Sequence, residues 1–405
     1  MGSKLILLTG GRIVTPGGIL DKHTLVIQNG IIEKLIPAGE EAFYKQGTAE
    51  CEVIDAAGGI VSPSFCDCHI HGCYDLGFDA VTEESFAKTT KHLRDHGVST
   101  FIPAMQYDES ALSRLTEILQ SVPPETVPGI YVEGPFIHSE KRGGLGLNSV
   151  FPPDPELLEH ILEIGRGKIC MMTIAPELDG IEKIAQRIVE AGIIPCFGHS
   201  NTSYKKARNL YHYIQSYKAG AVVSMTHLFN ASSGLTHRNP GLPLLAFLED
   251  LMFEVNGDGI HIDRDMLEFL FLHADAARMM LISDAVVTAG LSREEANDGA
   301  FHYHGRLVAQ KKDTGGVYDA RAGTLIGSAS LLDSIIAYIY KLTVGEAASA
   351  DPEKRDAAIT KIILSASTNP GKLLGLGSRQ GSIAPGKKSS LLILVNTLHI
   401  RQNLL

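Results

Sequence analysis

Hydrophobic and polar positions along the chain fall into two textures. In the first sixty residues, short apolar runs at 5–8, 12–15, 24–28, 30–35 and 52–55 are separated by Gly pairs and polar turns, which predicts a small module of several short strands. From Gly59 onward, apolar segments of strand length alternate with amphipathic stretches. Eight segments read as strands: residues 60–65, 98–104, 127–132, 168–174, 193–197, 221–225, 251–255 and 278–282. Each is followed by a helical pattern, clearest at Leu112, Leu115, Ile118 and Leu119, at Ile181, Ile184 and Ile188, and at Leu332, Ile335, Ile336 and Ile339. Eight strand–helix units predict a closed parallel (β/α)8 TIM-like barrel, an α/β fold. An open doubly wound sheet would usually not require eight units and would often carry a Gly-rich phosphate loop after its first strand, where this chain has none. After the last unit, the turn at 381–386 and the apolar run at 391–395 return to strand texture, so the tail is expected to rejoin the N-terminal strands in a small β-sandwich domain built from both termini. The expected divisions are residues 1–58 for the first part of that domain, 59–345 for the barrel, and 346–405 for a C-terminal helix and returning strands.

Composition narrows the class. A chain of 405 residues that is 44% hydrophobic and 20% charged can bury a sizeable core, which excludes disorder and fibre. With 36 Lys and Arg against 46 Asp and Glu, the net charge of −10 lacks the excess cations of a general nucleic-acid binder. No run approaches the roughly eighteen apolar residues of a membrane helix, and the patch at 5–8 is too short for a signal-peptide core, so a soluble, cytoplasmic protein is expected. Six cysteines in a chain of this length form no disulfide framework, and they are expected to be reduced and mostly buried.

A barrel keeps its active site past the C-terminal ends of its strands. There this sequence places Asp67-Cys68-His69-Ile70-His71-Gly72, Glu133-Gly134-Pro135, Gly198-His199-Ser200, Thr226-His227-Leu228-Phe229-Asn230 and Ser283-Asp284-Ala285. In an extended strand residues i and i+2 point the same way, so His69 and His71 can reach one ion. The His-x-His is weak on its own; what raises it is the convergence of four histidines, Glu133 and Asp284 at one end of the barrel. Imidazole and carboxylate together suit a divalent transition ion, and an open position beside three ligands activates water. Asp284 is the candidate acid/base, with a helix-capping role as the bland reading, as backbone N–H capture is for Glu133. A second set, Asn230-Ala231, His237-Arg238 and Asp258 through His261, resembles an anion pocket in which the Arg238 fork and His261 serve phosphate. Lys141-Arg142 reads as a solvated turn pair.

These motifs, together with Val132-Glu133-Gly134-Pro135-Phe136-Ile137, Ala175-Pro176-Glu177, Asp258-Gly259-Ile260-His261, Leu325-Ile326-Gly327-Ser328 and Ser367-Thr368-Asn369-Pro370, resemble the N-acetylglucosamine-6-phosphate deacetylases of the amidohydrolase superfamily over nearly the whole chain. The resemblance implies that Glu133, His199 and His227 hold the principal divalent ion, that Asp284 is catalytic, and that His69 and His71 allow a second ion. Zinc comes first as the metal, with iron, manganese and cobalt open. It also implies that Asn230, Ala231, Asp258, His261, Leu325, Ile326 and Gly327 line a sugar-phosphate pocket. Arg238 would reach the phosphate across a homodimer interface. The implied reaction is hydrolysis of the N-acetyl group of N-acetyl-D-glucosamine 6-phosphate to D-glucosamine 6-phosphate and acetate.

There is one departure at the site. Where the family commonly has Gly-Ala-His, with the His contacting the substrate carbonyl, this chain reads Gly143-Gly144-Leu145-Gly146. His138 or another group substitutes, a second ion polarises the carbonyl, or the substrate is another amide, a cyclic imide or an aminated heterocycle. The tail also reads Lys387-Lys388-Ser389-Ser390 where the family usually has acidic residues. A non-catalytic scaffold is the reading from a different class, and intact ligands argue against it.

Overall fold

The computed structural model describes residues 4–45, 51–311, 315–345 and 351–405. Residue 346, the expected start of the C-terminal segment, lies outside them. The chain divides into two compact units, one of Met1–Cys66, Leu93–Ser99 and Leu332–Leu405, the other of Asp67–His92 and Thr100–Leu331.

The terminal unit is built on two sheets. One has four strands in the order Ile31–Pro37, His23–Gln28, Leu5–Thr9, Cys51–Asp55; the other has five, in the order Ile400–Asn403, Leu391–Leu394, Ile60–Pro63, Arg12–Thr15, Gly18–Leu20. The tail rejoins the N-terminal strands as expected, with Leu391–Leu394 antiparallel to Ile60–Pro63. Leu8, Leu25, Ile27 and Ile32 from one sheet and Ile13, Val61, Leu391 and Ile393 from the other share one buried cluster, so the two sheets bury their apolar faces together as a sandwich does.

Eight parallel strands form the barrel: β1 Phe65–Ile70, β2 Val98–Gln106, β3 Ile130–Glu133, β4 Ile169–Ile174, β5 Ile194–Phe197, β6 Ser224–Met225, β7 Met252–Asn256 and β8 Met279–Ile282. The sheet runs in chain order from β1 to β8. Its first and last strands are brought together where Asp284 N–H donates to the His69 carbonyl at 2.9 Å and His71 N–H to the Ala285 carbonyl at 2.8 Å. One expectation needs correction. Residues 60–65 are not a barrel strand, because Ile60–Pro63 pairs with the termini and the barrel strand begins at Phe65. The two strands run on almost without interruption, so a single apolar run concealed a change of sheet.

Between β8 and the helix Leu332–Val344, which begins in the other unit, lies a feature the strand–helix pattern did not predict. A four-stranded antiparallel sheet, Phe301–Tyr303, Arg306–Gln310, Gly316–Asp319 and Leu325–Ser328, packs on its own buried cluster of Val286, Val287, Phe301, Tyr303, Val308, Val317 and Ile326. It places Tyr303 and residues 324–326 at the site described below.

In the terminal unit, His96 Nδ1 lies 2.8 Å from Asp333 Oδ2. The hydrogen bond to Asp333 raises the imidazole pKa against the opposing effect of burial. A folded-state pKa raised above the unfolded value contributes stability that is present at pH below about 6.5 and disappears as pH rises through the folded value. For this half-exposed pair, His96→Gln should lower unfolding free energy at pH 5.5 by about 0.5–1 kcal/mol and by nothing measurable at pH 9. Urea unfolding at both pH values checks it, and an equal loss at both would show that the pair is not the cause.

Candidate active site

Each candidate ligand sits at or just past a strand end. Glu133 is the last residue of β3, His199 and His227 lie two residues past β5 and β6, His69 is within the end of β1, and Asp284 lies two residues past β8. His199, His227 and Asp284 hold positive φ values of 47°, 24° and 48°, a region that costs a non-glycine residue of order 1 kcal/mol or more and persists only where the surroundings enforce it. All six are buried.

Two trios of donor atoms result, Glu133, His199 and His227, and His69, His71 and Asp284. In the first, Glu133 Oε1 lies 2.7 Å from His199 Nε2 and 3.0 Å from His227 Nε2, and the two nitrogens are 3.0 Å apart. In the second, His69 Nε2 is 3.2 Å from His71 Nε2 and 3.9 Å from Asp284 Oδ1, with His71 Nε2 at 3.2 Å from the same oxygen. Glu133 Oε2 faces His71 Nε2 at 3.6 Å, so this carboxylate stands between the trios.

The donor chemistry fits a divalent cation. His199 Nδ1 can only donate to the Lys141 carbonyl, 2.8 Å away, which leaves the Nε2 lone pair of a neutral ring facing the Glu133 carboxylate. Two acceptors at that distance repel unless a cation or an added proton lies between them. Tetrahedral ligands about 2.1 Å from zinc stand roughly 3.4 Å apart, so the first trio, with separations of 2.7–3.0 Å, needs an expansion of about 0.4–0.7 Å. The surrounding field also calls for positive charge. Burial works against a charged His69, yet Glu254, Asp284 and Glu133 raise it to about 10. Burial likewise opposes ionisation of Glu133 and Asp284, but the neighbouring histidines hold both below the usual carboxylate range.

A cavity of about 220 Å³ opens onto these groups. Of the residues expected around it, Gly144, Leu145, Asn230, Ala231, His261, Leu325 and Ile326 line it. The other three do not. Asp258 sits behind His261, taking its Nδ1–H at 2.7 Å, Gly327 is buried in the inserted sheet, and Arg238 is exposed in the loop that follows Ala231. Among the described residues the lining contains no Lys or Arg. His138 is not part of it either. Gly143 and Gly144 let the loop approach closely: a Cβ on Gly144 would stand 3.0 Å from the Ile326 Cα. Of the Lys141-Arg142 pair, Lys141 is not simply solvated, since its carbonyl orients His199 and its ammonium donates to the Ser232 carbonyl at 3.1 Å, whereas Arg142 makes a local turn contact, donating to the Ser139 carbonyl at 3.0 Å.

The strand-end reading missed the supports behind these ligands. Glu254 on β7 is fully buried, and its Oε2 accepts from His69 Nδ1 at 2.9 Å and from the His227 backbone N–H at 3.0 Å. It was visible as an acid inside the apolar run Met252-Phe253-Glu254-Val255, a placement costly without a partner. Asn256 donates to Asp284 Oδ2 at 3.1 Å, and Tyr303 Oη lies 2.8 Å from His71 Nδ1. Tyr303 carried no signal, because its approach depends on the inserted sheet.

The sequence profile of the Amidohydrolase family matches residues 60–402. At 27% identity, over 99% of this chain and 94% of the relative, the chain is similar to N-acetylglucosamine-6-phosphate deacetylase of Mus musculus. It is similar at 26% identity, over 98% of this chain and 97% of the relative, to N-acetylgalactosamine-6-phosphate deacetylase of Escherichia coli O157:H7. A variant of N-acetyl-D-glucosamine-6-phosphate deacetylase from Mycobacterium smegmatis, solved in complex with N-acetyl-D-glucosamine-6-phosphate, superposes with a TM-score of 0.83 at 25% identity, covering 98% of this chain and 97% of that one.

If Glu254 supports the ligand cluster, Glu254→Gln should leave the chain folded but weaken cation binding about 10–100-fold, the usual cost of removing a partner behind a metal-binding histidine. Metal content after dialysis against graded chelator, beside His199→Gln as the stronger loss, measures this. Unchanged retention would show that Glu254 only fills space.

Proposed function

The chain belongs to the amidohydrolase family, and from that premise we propose that it hydrolyses the N-acetyl group of an amino-sugar 6-phosphate, N-acetyl-D-glucosamine 6-phosphate first, releasing acetate and the amino-sugar phosphate. Members of that superfamily are metal-dependent hydrolases, and the observation that carries the reading is two adjoining cation-competent trios, one of them including Asp284, at a single cavity. The relatives' shared chemistry supports the substrate class, and the galactosamine-directed relative leaves the sugar epimer open.

Glu133, His199 and His227 would hold the principal divalent cation, zinc first, and His69, His71 and Asp284 a second. A bound cation supplies a water of lowered pKa and a Lewis acid for the amide oxygen. Asp284 is held ionised by its histidine neighbours, so it can take a proton from the attacking water and return it to the nitrogen that leaves as the C–N bond breaks. Asn256 fixes Oδ2 from one side, and His261 Nε2 approaches it at 3.5 Å. Leu145, Leu325 and Ile326 give the cavity one apolar side, facing the groups that would carry the chemistry. With no Lys or Arg in the described lining, the phosphate would be met by His261 and by Arg238 of a second copy in a homodimer. Leu145, which offers no hydrogen bond beside the acyl group, keeps one other reading in play: an amidohydrolase for a different amide, a cyclic imide or an aminated heterocycle.

Asp284→Asn should lower kcat by about 10²–10⁴-fold while the cation of the Glu133 trio is retained. Acetate release and metal content measured on the same preparation test this, and near-normal turnover would remove Asp284 from the proton path. Arg238→Ala should erase most of the preference for N-acetylglucosamine 6-phosphate over N-acetylglucosamine. An unaltered preference would count against the sugar-phosphate reading.

A further inference from the structure

His71 meets different partners on its two nitrogens. Nε2 faces Asp284 Oδ1 at 3.2 Å and His69 Nε2 at 3.2 Å. Nδ1 faces two groups at once, the Ala104 carbonyl at 3.0 Å and the Tyr303 hydroxyl at 2.8 Å. The two groups at Nδ1 have different capacities: a carbonyl can only accept, whereas a phenol can donate or accept. Tyr303 is buried, and its phenol carries a proton that it can donate to Nδ1.

Two neutral arrangements of His71 therefore fit. In one, Nδ1–H donates to Ala104, Tyr303 oxygen lies alongside as a second acceptor, and the Nε2 lone pair is free for a cation. In the other, Tyr303 donates to Nδ1 and Nε2–H donates to Asp284 Oδ1. Without the phenol, the second arrangement would leave Nδ1 facing only the Ala104 carbonyl, acceptor against acceptor.

We propose that Tyr303 is a positioning residue that allows His71 to hold either tautomer, so that Asp284 is hydrogen-bonded and oriented with one cation bound, and the second trio is ready for another. This rests on the reading that the two trios hold cations. It makes the second ion optional, because His71 Nε2–H takes its place against Asp284.

The test uses the full chain stripped of metal, labelled with ¹⁵N-histidine and reconstituted with one and then two equivalents of zinc. The His71 signal is assigned by its disappearance in His71→Asn. With one equivalent, His71 Nδ1 should show the shift of an unprotonated nitrogen, and with the second it should become protonated. Nδ1 protonated at one equivalent, both ring nitrogens protonated, or no uptake of a second equivalent would each overturn the proposal. Tyr303→Phe removes the donor that only the cation-free arrangement needs, since Ala104 still accepts in the cation-bound one. Calorimetry should then show the second equivalent binding up to about tenfold tighter, the worth of one buried hydrogen bond. An unchanged or weaker second equivalent overturns it. No substrate enters either measurement, so failure here leaves the deacetylase reading intact, and failure to release acetate leaves this one intact.

Discussion

Glu133 Oε1 lies within 3.0 Å of two imidazole nitrogens at the end of a barrel that leaves the residue 3% exposed. The carboxylate cannot be moved to water and cannot be neutralised without losing its hold on both rings. Its charge must be met in place, by protons on the histidines or by a cation among them. The features around it follow from that demand. Three strand-end residues take positive φ to bring His199, His227 and Asp284 inward, and backbone carbonyls at Lys141 and Ala104 hold the outer nitrogens of His199 and His71. Asp284 and, beneath the cluster, Glu254 add two more buried carboxyl groups, which makes the need for positive charge greater.

The parts of this arrangement legible in the sequence were those that repeat with the fold. Strand segments returned eight times, and polar residues just past their ends were conspicuous against apolar runs, which brought out Glu133, His199, His227 and Asp284 without any contact information. The tail's return to the N-terminal strands was likewise readable from a change of texture. Residues 60–65 misled because two successive strands serve different sheets with the same apolar vocabulary, and burial alone does not say which neighbour a strand pairs with. Tyr303 was beyond reach for a different reason. It lies 232 residues from His71, and the sheet that carries it interrupts the strand–helix alternation rather than continuing it.

That inserted sheet also changes what the cavity is. Leu325 and Ile326 arrive on its last strand, and Arg306 on its second reaches the Gly144 carbonyl, so the loop carrying Leu145 is held from across the cavity. The wall that faces the ligand cluster is therefore apolar, and the polar work is left to groups on the barrel itself and to Tyr303. A site with this division of labour places its chemistry in the floor and its choice of substrate in the walls, which is how one set of barrel ligands can serve different amides.

The division between the two buried carboxylates follows from their surroundings rather than their type. Glu133 turns both oxygens toward imidazole nitrogens, one set on each side, and has nothing left to offer a substrate. Asp284 meets His71 and His69 of the cluster with Oδ1, while among the described residues Oδ2 is approached by the Asn256 amide and His261. An amide N–H and an imidazole at 3.5 Å steady that oxygen without saturating its lone pairs. On the proposed reading, Asp284 is then the acid whose oriented oxygen would take a proton and give it back, and the environment that denies Glu133 this role would suit it to a cation.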